Sequence, residues 1–468
     1  MRSLTIRAAL AAALFSSLAT TAATTATAQF PTTPPPIGKP KPFTVPPRRT
    51  ITLANGMKIS LVPFGATPKV TVRLFLRTGS IDETAEQLSL AALTGDLWAE
   101  GTATKDAKTI AQVMSGMGGA LGIGAGADLT SLGADVLTSH AAEMVSLVAE
   151  VARQPRFPES ELARLKANRL RNLAIAKTQP GTQASLKFGS IMFGDHPYGR
   201  GLPTDDQLKG YSIDQVKAFY ATNVGAARAH LYVVGRFDAA AVEQAARAAF
   251  TDWAAGPSPT VKPVTMPTSR QVAVIDRPAA VQSTVWVGLP VADQTSPDFI
   301  KLSVTDAILG GSFGSRITSN IRENKGYTYS PFSTISTRRG GSFWAEIADV
   351  TTNVTGPSLT EIFKEVEKMR NEAPPKEELE RIQRNMAGTF VLQNGSRAGI
   401  AGQLAQVDAY NLGDDFLSTY TSKVLAVTAA EIQQMMQKYL TPEKMSVVVV
   451  GDRKVIDEQL KQVLGAVP

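Results

Sequence analysis

The sequence has no cysteine and only three histidines, His140, His196 and His230, in 468 residues. The first absence excludes disulfides and thiolate metal sites, so stability must come from buried core. The second leaves no histidine pair at the i, i+4 spacing that would place two imidazoles on one helix face. Charge is also sparse: 19% of residues are charged, the net charge is +7, and no Lys/Arg block or basic stripe interleaved with aromatics occurs. That argues against a nucleic-acid partner. No apolar run is long enough to read as a membrane span. The nearest is at the start, where Arg2 and Arg7 flank and enter an Ala/Leu/Phe stretch ending in Ala26-Thr27-Ala28. It is expected to be a secretory signal peptide over 1–28, giving a periplasmic or secreted protein without stable membrane insertion. A proline-rich tether over 29–47 is expected to follow.

What the sequence has in quantity is ordinary globular composition, 43% hydrophobic, and a self-similarity. Ser212-Ile213-Asp214-Gln215 opens a helical pattern leading to the strand Leu231–Gly235. Thr428-Ala429-Ala430-Glu431 opens one leading to Val447–Gly451. Both starts are capping boxes. Further upstream, Pro158-Glu159-Ser160-Glu161-Leu162 and Pro375-Lys376-Glu377-Glu378-Leu379 begin a second matched pair of helices, so one domain is written twice at an offset of about 216 residues. Strands are expected at Thr50–Leu53, Lys58–Val62 after an Asn55-Gly56 turn, Val70–Leu76, Gln271–Ile275 and Ser283–Leu289. The pattern predicts an α+β fold of two homologous domains, 48–255 and 271–468. Each is a mainly antiparallel sheet with helices on one face, and a Pro/Ser-rich linker over 256–270 joins them.

Ser89-Leu90-Ala91-Ala92-Leu93-Thr94-Gly95-Asp96, followed by Glu100-Gly101-Thr102, resembles the zinc helix of the pitrilysin, insulin-degrading enzyme and mitochondrial processing peptidase family, the inverzincins. In that family H-x-x-E-H supplies two zinc ligands and the catalytic glutamate. The three positions here read Ala92, Gly95 and Asp96, and two of them offer no ligand atom. The family's remaining glutamate ligand maps to Leu170-Arg171-Asn172-Leu173, which has no carboxylate. The resemblance implies that this chain binds no cofactor, and that zinc belongs to a partner subunit carrying H-x-x-E-H. It also implies that the two domains form half of a clamshell.

The resemblance continues in the second half. Ile308–Arg316 and Ile321-Arg322-Glu323-Asn324-Lys325-Gly326-Tyr327-Thr328-Tyr329-Ser330 match the family's C-terminal signature, in which an arginine and a tyrosine seven residues later face the zinc site across the clamshell. Arg322 and Tyr329 occupy those positions. Arg322 is expected at the end of a helix and Tyr329 in the strand beyond the Gly326 turn, where a guanidinium and a phenol can hold a carbonyl and its developing oxyanion. The implied function is the non-zinc-binding subunit of a heterodimeric periplasmic zinc metallopeptidase acting on peptides or unfolded polypeptides, with Arg322 and Tyr329 supplied in trans. The alternative is an inactive homologue serving as a binding or scaffold protein. The glycine-rich stretch Gly116–Gly126 lacks a following Gly-Lys-Ser/Thr and reads as a flexible edge strand rather than a phosphate cradle. His196 in Asp195-His196-Pro197-Tyr198-Gly199 reads as structural. No nucleophile–base triad or paired carboxylate stands out in the sequence.

Overall fold

In the computed structural model, residues 43–465 are described, and the expected signal peptide and most of the expected tether lie outside them. Strands β1 (Arg49–Thr52), β2 (Lys58–Pro63), β3 (Lys69–Leu76), β4 (Gly122–Ala125), β5 (Thr130–Leu137) and β6 (Ala229–Gly235) form a six-stranded sheet ordered β1-β2-β6-β3-β5-β4. Only β2 and β6 run parallel. The β1–β2 hairpin turns at Asn55-Gly56, where Gly56 takes a left-handed φ of 86° that a side chain would strain. The second sheet, β7 (Val272–Asp276), β8 (Gln282–Val291), β9 (Phe332–Arg338), β10 (Gly341–Thr351) and β11 (Ser446–Gly451), is ordered β7-β11-β8-β10-β9, again with one parallel pair, β7–β11. Removing β1 from the first sheet leaves the same connectivity, so the duplication read from the sequence is a duplication of fold.

Helices of the first half are α1 (Leu90–Trp98), α2 (Ala107–Gly116), α3 (Ala141–Arg153), α4 (Glu159–Thr178), α5 (Pro180–Phe193), α6 (Asp205–Gly210), α7 (Ile213–Asn223) and α8 (Ala239–Phe250). The second half has α9 (Phe299–Leu309), α10 (Thr355–Asn371), α11 (Lys376–Gln393), α12 (Arg397–Tyr410), α13 (Phe416–Ala426), α14 (Ala429–Tyr439) and α15 (Arg453–Leu464). Helices α7 and α14 both begin with the capping boxes expected, Ser212 with Gln215 and Thr428 with Glu431.

Each half packs its own helices on one face of its sheet, and the opposite face is covered by a helix from the other half. In β6, Leu231 and Val233 enter the first-half core, while Tyr232 and Val234 meet Ile400, Leu404 and Ala405 of α12. In β11, Val447 and Val449 enter the second-half core, while Val448 and Val450 meet Phe188 and Met192 of α5. A strand buried on both faces must be apolar at every position, which is why Val447–Val450 does not alternate. Each of these side chains stabilises the fold by roughly 1.5–3 kcal/mol on burial. Phe188 is fully buried and lies 5.5 Å from Trp286 and 5.3 Å from Phe343, ring to ring.

The described end of the expected tether, and Arg48 just after it, are packed on the second half. Phe43 stacks edge-on against Phe390 at 5.2 Å, and Arg48 binds Asp408 at 2.8 Å and Asp414 at 2.9 Å. In the linker, Val264 and Met266 lie against the cluster containing Phe193 and Phe343, and Lys262 Nζ donates to the Ile81 carbonyl at 2.8 Å. Among the described residues no helix is long and apolar enough to cross a membrane.

Candidate functional site

Helix α1 carries the degenerate metal motif. It starts at Ser89, a non-glycine residue with φ 69°, and its first N–H groups are satisfied by a side chain. Ser89 and Ala91 donate to the Glu83 carboxylate at 3.2 and 2.8 Å, the arrangement a helix N-terminus favours. Burial nevertheless pushes the Glu83 carboxyl up to about 7, against the pull of these amides and of Arg200 and Arg169. The helix lies on edge strand β4, and a Cβ at Gly95 would touch Ala125 at 3.5 Å. Asp96 is engaged elsewhere, in an ion pair with Arg169 Nε of α4 at 2.7 Å.

These residues do not fit zinc. Ala92 and Gly95 have no donor atom, Asp96 is held by a cation, and the α4 segment that would bring a carboxylate brings Arg169 instead. Among the described residues no group of three or more His, Asp or Glu could hold a metal ion. No local motif marks Arg169; the sequence signal for it is a cation beside Leu170–Leu173, where a carboxylate is needed.

Arg322 and Tyr329 come together, Arg322 in the last turn of a helix as expected, Tyr329 not in the strand expected. Arg322 lies in a π-helical turn, Thr318–Asn324. Tyr329 lies in a loop rather than a strand, because β9 begins only at Phe332. The loop is held by Gly326 at φ 64°, by Tyr327 N–H donating to the Ile321 carbonyl at 2.8 Å and by Thr328 Oγ1 donating to the Asp349 carbonyl at 2.7 Å. A third residue completes the group: the Arg322 guanidinium sits 4.5 Å from the Phe313 ring and 5.1 Å from the Tyr329 ring. The two aromatics are 76% and 78% exposed, and Phe332 nearby is 49% exposed. Aromatic faces hold a cation without consuming its N–H donors, so the two rings restrain Arg322 and leave its terminal NH2 groups to an incoming acceptor. The Arg322 Nε also lies 3.4 Å from the Glu323 carboxylate.

Beneath the Gly310-Gly311 turn that leads to Phe313 lies a pair of carboxylates. Asp306 accepts from Trp344 Nε1 at 2.7 Å and from Ser333 Oγ, and desolvation raises it to about 6. Glu346 is fully buried, neither oxygen has a partner, and burial together with the Asp306 charge holds it well above the usual carboxylate range. A Cβ at Gly310 would fall 2.3 Å from Glu346 Oε2, and one at Gly311 2.5 Å from Asp306 Oδ2. The glycine pair is thus required by close approach to these two carboxyl groups.

The fold also assembles a constellation invisible in the sequence. Ser60 Oγ is 2.8 Å from His230 Nε2, and His230 Nδ1 is 2.9 Å from the Tyr232 hydroxyl and 3.4 Å from Asp408 Oδ2. The residue types are those of a nucleophile relay, but Ser60 is fully buried and also bonded to Thr50. Burial pushes the His230 imidazole down to about 3, so it is neutral and joins β6 to Asp408 of α12. His196 is likewise structural, its Nδ1 accepting from Tyr198 N–H at 3.3 Å to cap the turn Pro197–Gly199.

Residues 65–205 match the family described as Insulinase (Peptidase family M16), and residues 211–386 match the Peptidase M16 inactive domain. An uncharacterized zinc protease of Streptomyces coelicolor is 25% identical over 294 residues, covering 61% of this chain and 64% of that protein. The chain therefore spans somewhat under two thirds of that relative. The solved peptidase M16 inactive domain from Pseudomonas fluorescens superposes with a TM-score of 0.78 at 26% identity, covering 86% of this chain and 98% of that one. The periplasmic protease PqqL from Escherichia coli superposes with a TM-score of 0.75 at 16% identity, covering 88% of this chain and 46% of that protein.

Proposed function

Because the chain belongs to the M16 insulinase family of peptidases, we propose that it is the non-zinc-binding subunit of a two-chain periplasmic zinc peptidase. It contributes Arg322 and Tyr329 to a site whose metal is held by an H-x-x-E-H partner. The observation that carries this reading is the exposed cluster of Phe313, Arg322 and Tyr329. A guanidinium held against two solvent-facing rings is preorganised for an acceptor outside the chain, while the chain's own metal motif offers Asp96 already paired with Arg169. In the shared site Arg322 would orient a substrate carbonyl and Tyr329 would donate to the oxygen as negative charge develops on it. Groups placed in advance where charge appears lower a barrier more than groups that must reorganise.

The experiment is peptide cleavage by this chain, by an H-x-x-E-H chain of the same organism, and by the two mixed. Activity confined to the mixture, and lost by about 10²-fold in Arg322→Ala, is the expected result. A partner fully active alone and unchanged on mixing would refute the shared site.

A further inference from the structure

Away from these residues, a cavity of about 460 Å³ opens between the start of α9, the α12–α13 connection, α13 and the start of α14. Its volume lies in the range of small-ligand sites, about 300–1,000 Å³. Phe299, Ile300, Leu412, Phe416 and Val427 give it apolar walls, and Lys301, Lys423 and Glu431 stand among its lining residues. Gln294 also lines it. That side chain is 5% exposed, and its Oε1 accepts from Gln406 Nε2 at 3.1 Å, while its own Nε2 is buried without a partner. A buried amide donor left unsatisfied costs about 1–3 kcal/mol, and an acceptor entering beside it removes that cost.

The two lysines are not equivalent. Lys301 is paired with Glu431 at 3.0 Å and is 35% exposed, whereas Lys423 is half-exposed and, among the described residues, pairs with Asp415 alone, at 3.6 Å, itself 68% exposed. An exposed ion pair of this kind contributes little, so the Lys423 ammonium can turn to a ligand at small expense.

We propose that this cavity binds a carboxylate carried on an apolar tail, the tail against Phe299, Ile300 and Phe416 and the carboxylate between Gln294 and Lys423. Two sources share that chemistry, a medium-chain fatty acid and the free C-terminus of an apolar peptide. The site is independent of Arg322 and Tyr329.

Isothermal titration of the full chain with octanoate, 1-octanol, acetyl-Leu-Leu-Phe and its C-terminal amide tests it. One saturable site is expected for at least one of the two acids, with the matching neutral compound weaker by about tenfold, the equivalent of one charge-assisted hydrogen bond. Octanoate alone binding assigns the fatty acid, and the peptide acid alone assigns the peptide terminus; either result supports the site. Lys423→Met should weaken the acid about tenfold and leave the neutral compound unchanged. Ala426→Trp, which fills the mouth from an exposed position, should abolish binding. Equal binding of acid and neutral forms, non-saturable uptake, or full binding by Ala426→Trp would overturn the proposal.

Discussion

A guanidinium against two rings is held by about 0.5–1 kcal/mol per ring where solvent reaches it, enough to restrict Arg322 but little enough that each ring is separable in its effect. Phe313→Ala should leave the urea-unfolding free energy of the chain within about 0.5 kcal/mol of wild type, as for an exposed residue, while lowering the rate of the mixed peptidase several-fold. Arg322→Lys should fall nearly as far as Arg322→Ala, since an ammonium cannot stack and hydrogen-bond in one plane as a guanidinium does. The Arg322–Tyr329 spacing around Gly326 could be read from the sequence. Phe313 could not: no local pattern marks it as exposed or as a partner of Arg322, which lies nine residues on. Asp96 was legible as a lost ligand but not as an ion-pair partner, because Arg169 reaches it from α4, outside any local motif.

Restoring a motif is not restoring a site. The triple change Ala92→His, Gly95→Glu, Asp96→His rebuilds H-x-x-E-H on α1, yet Arg169 would then stand against the ligands and no carboxylate follows from α4. Catalytic zinc sites use three protein ligands, so the variant should retain well under one zinc per chain after dialysis, as read by atomic absorption. Adding Arg169→Glu or Asn172→Glu should raise retention. Among the strands, the unbroken valine run in β11 was a legible sign of burial on both faces, but not of which helix covers the second face. That cover, α5, is anchored by Phe188, and Phe188→Ala should cost about 3–5 kcal/mol in urea unfolding.

Across the whole molecule, buried titratable groups set opposing pH slopes. Glu83 rises from 4.5 to about 7 and Asp306 from 3.8 to about 6 on folding, so the folded state holds their protons more tightly. Their stabilisation is complete below the unfolded values and is lost as pH climbs to about 7 and about 6. His230 falls from 6.5 to about 3, so its contribution is present above 6.5 and is lost as pH drops toward 3. Glu83→Gln should therefore flatten the loss of stability between pH 4.5 and 7, and His230→Gln the loss on the acid side, each by an amount on the order of 3–5 kcal/mol measurable in urea midpoints. The exchange of α5 and α12 between the halves has a last consequence. Each half is finished only by the other, so cleavage of the folded chain within 256–270 should yield two pieces that still run as one species on a sizing column. Either piece made alone should aggregate through its bare sheet. Connection and integrity are separate properties here: the backbone can be severed and the body survive, whereas half of the body has no soluble form.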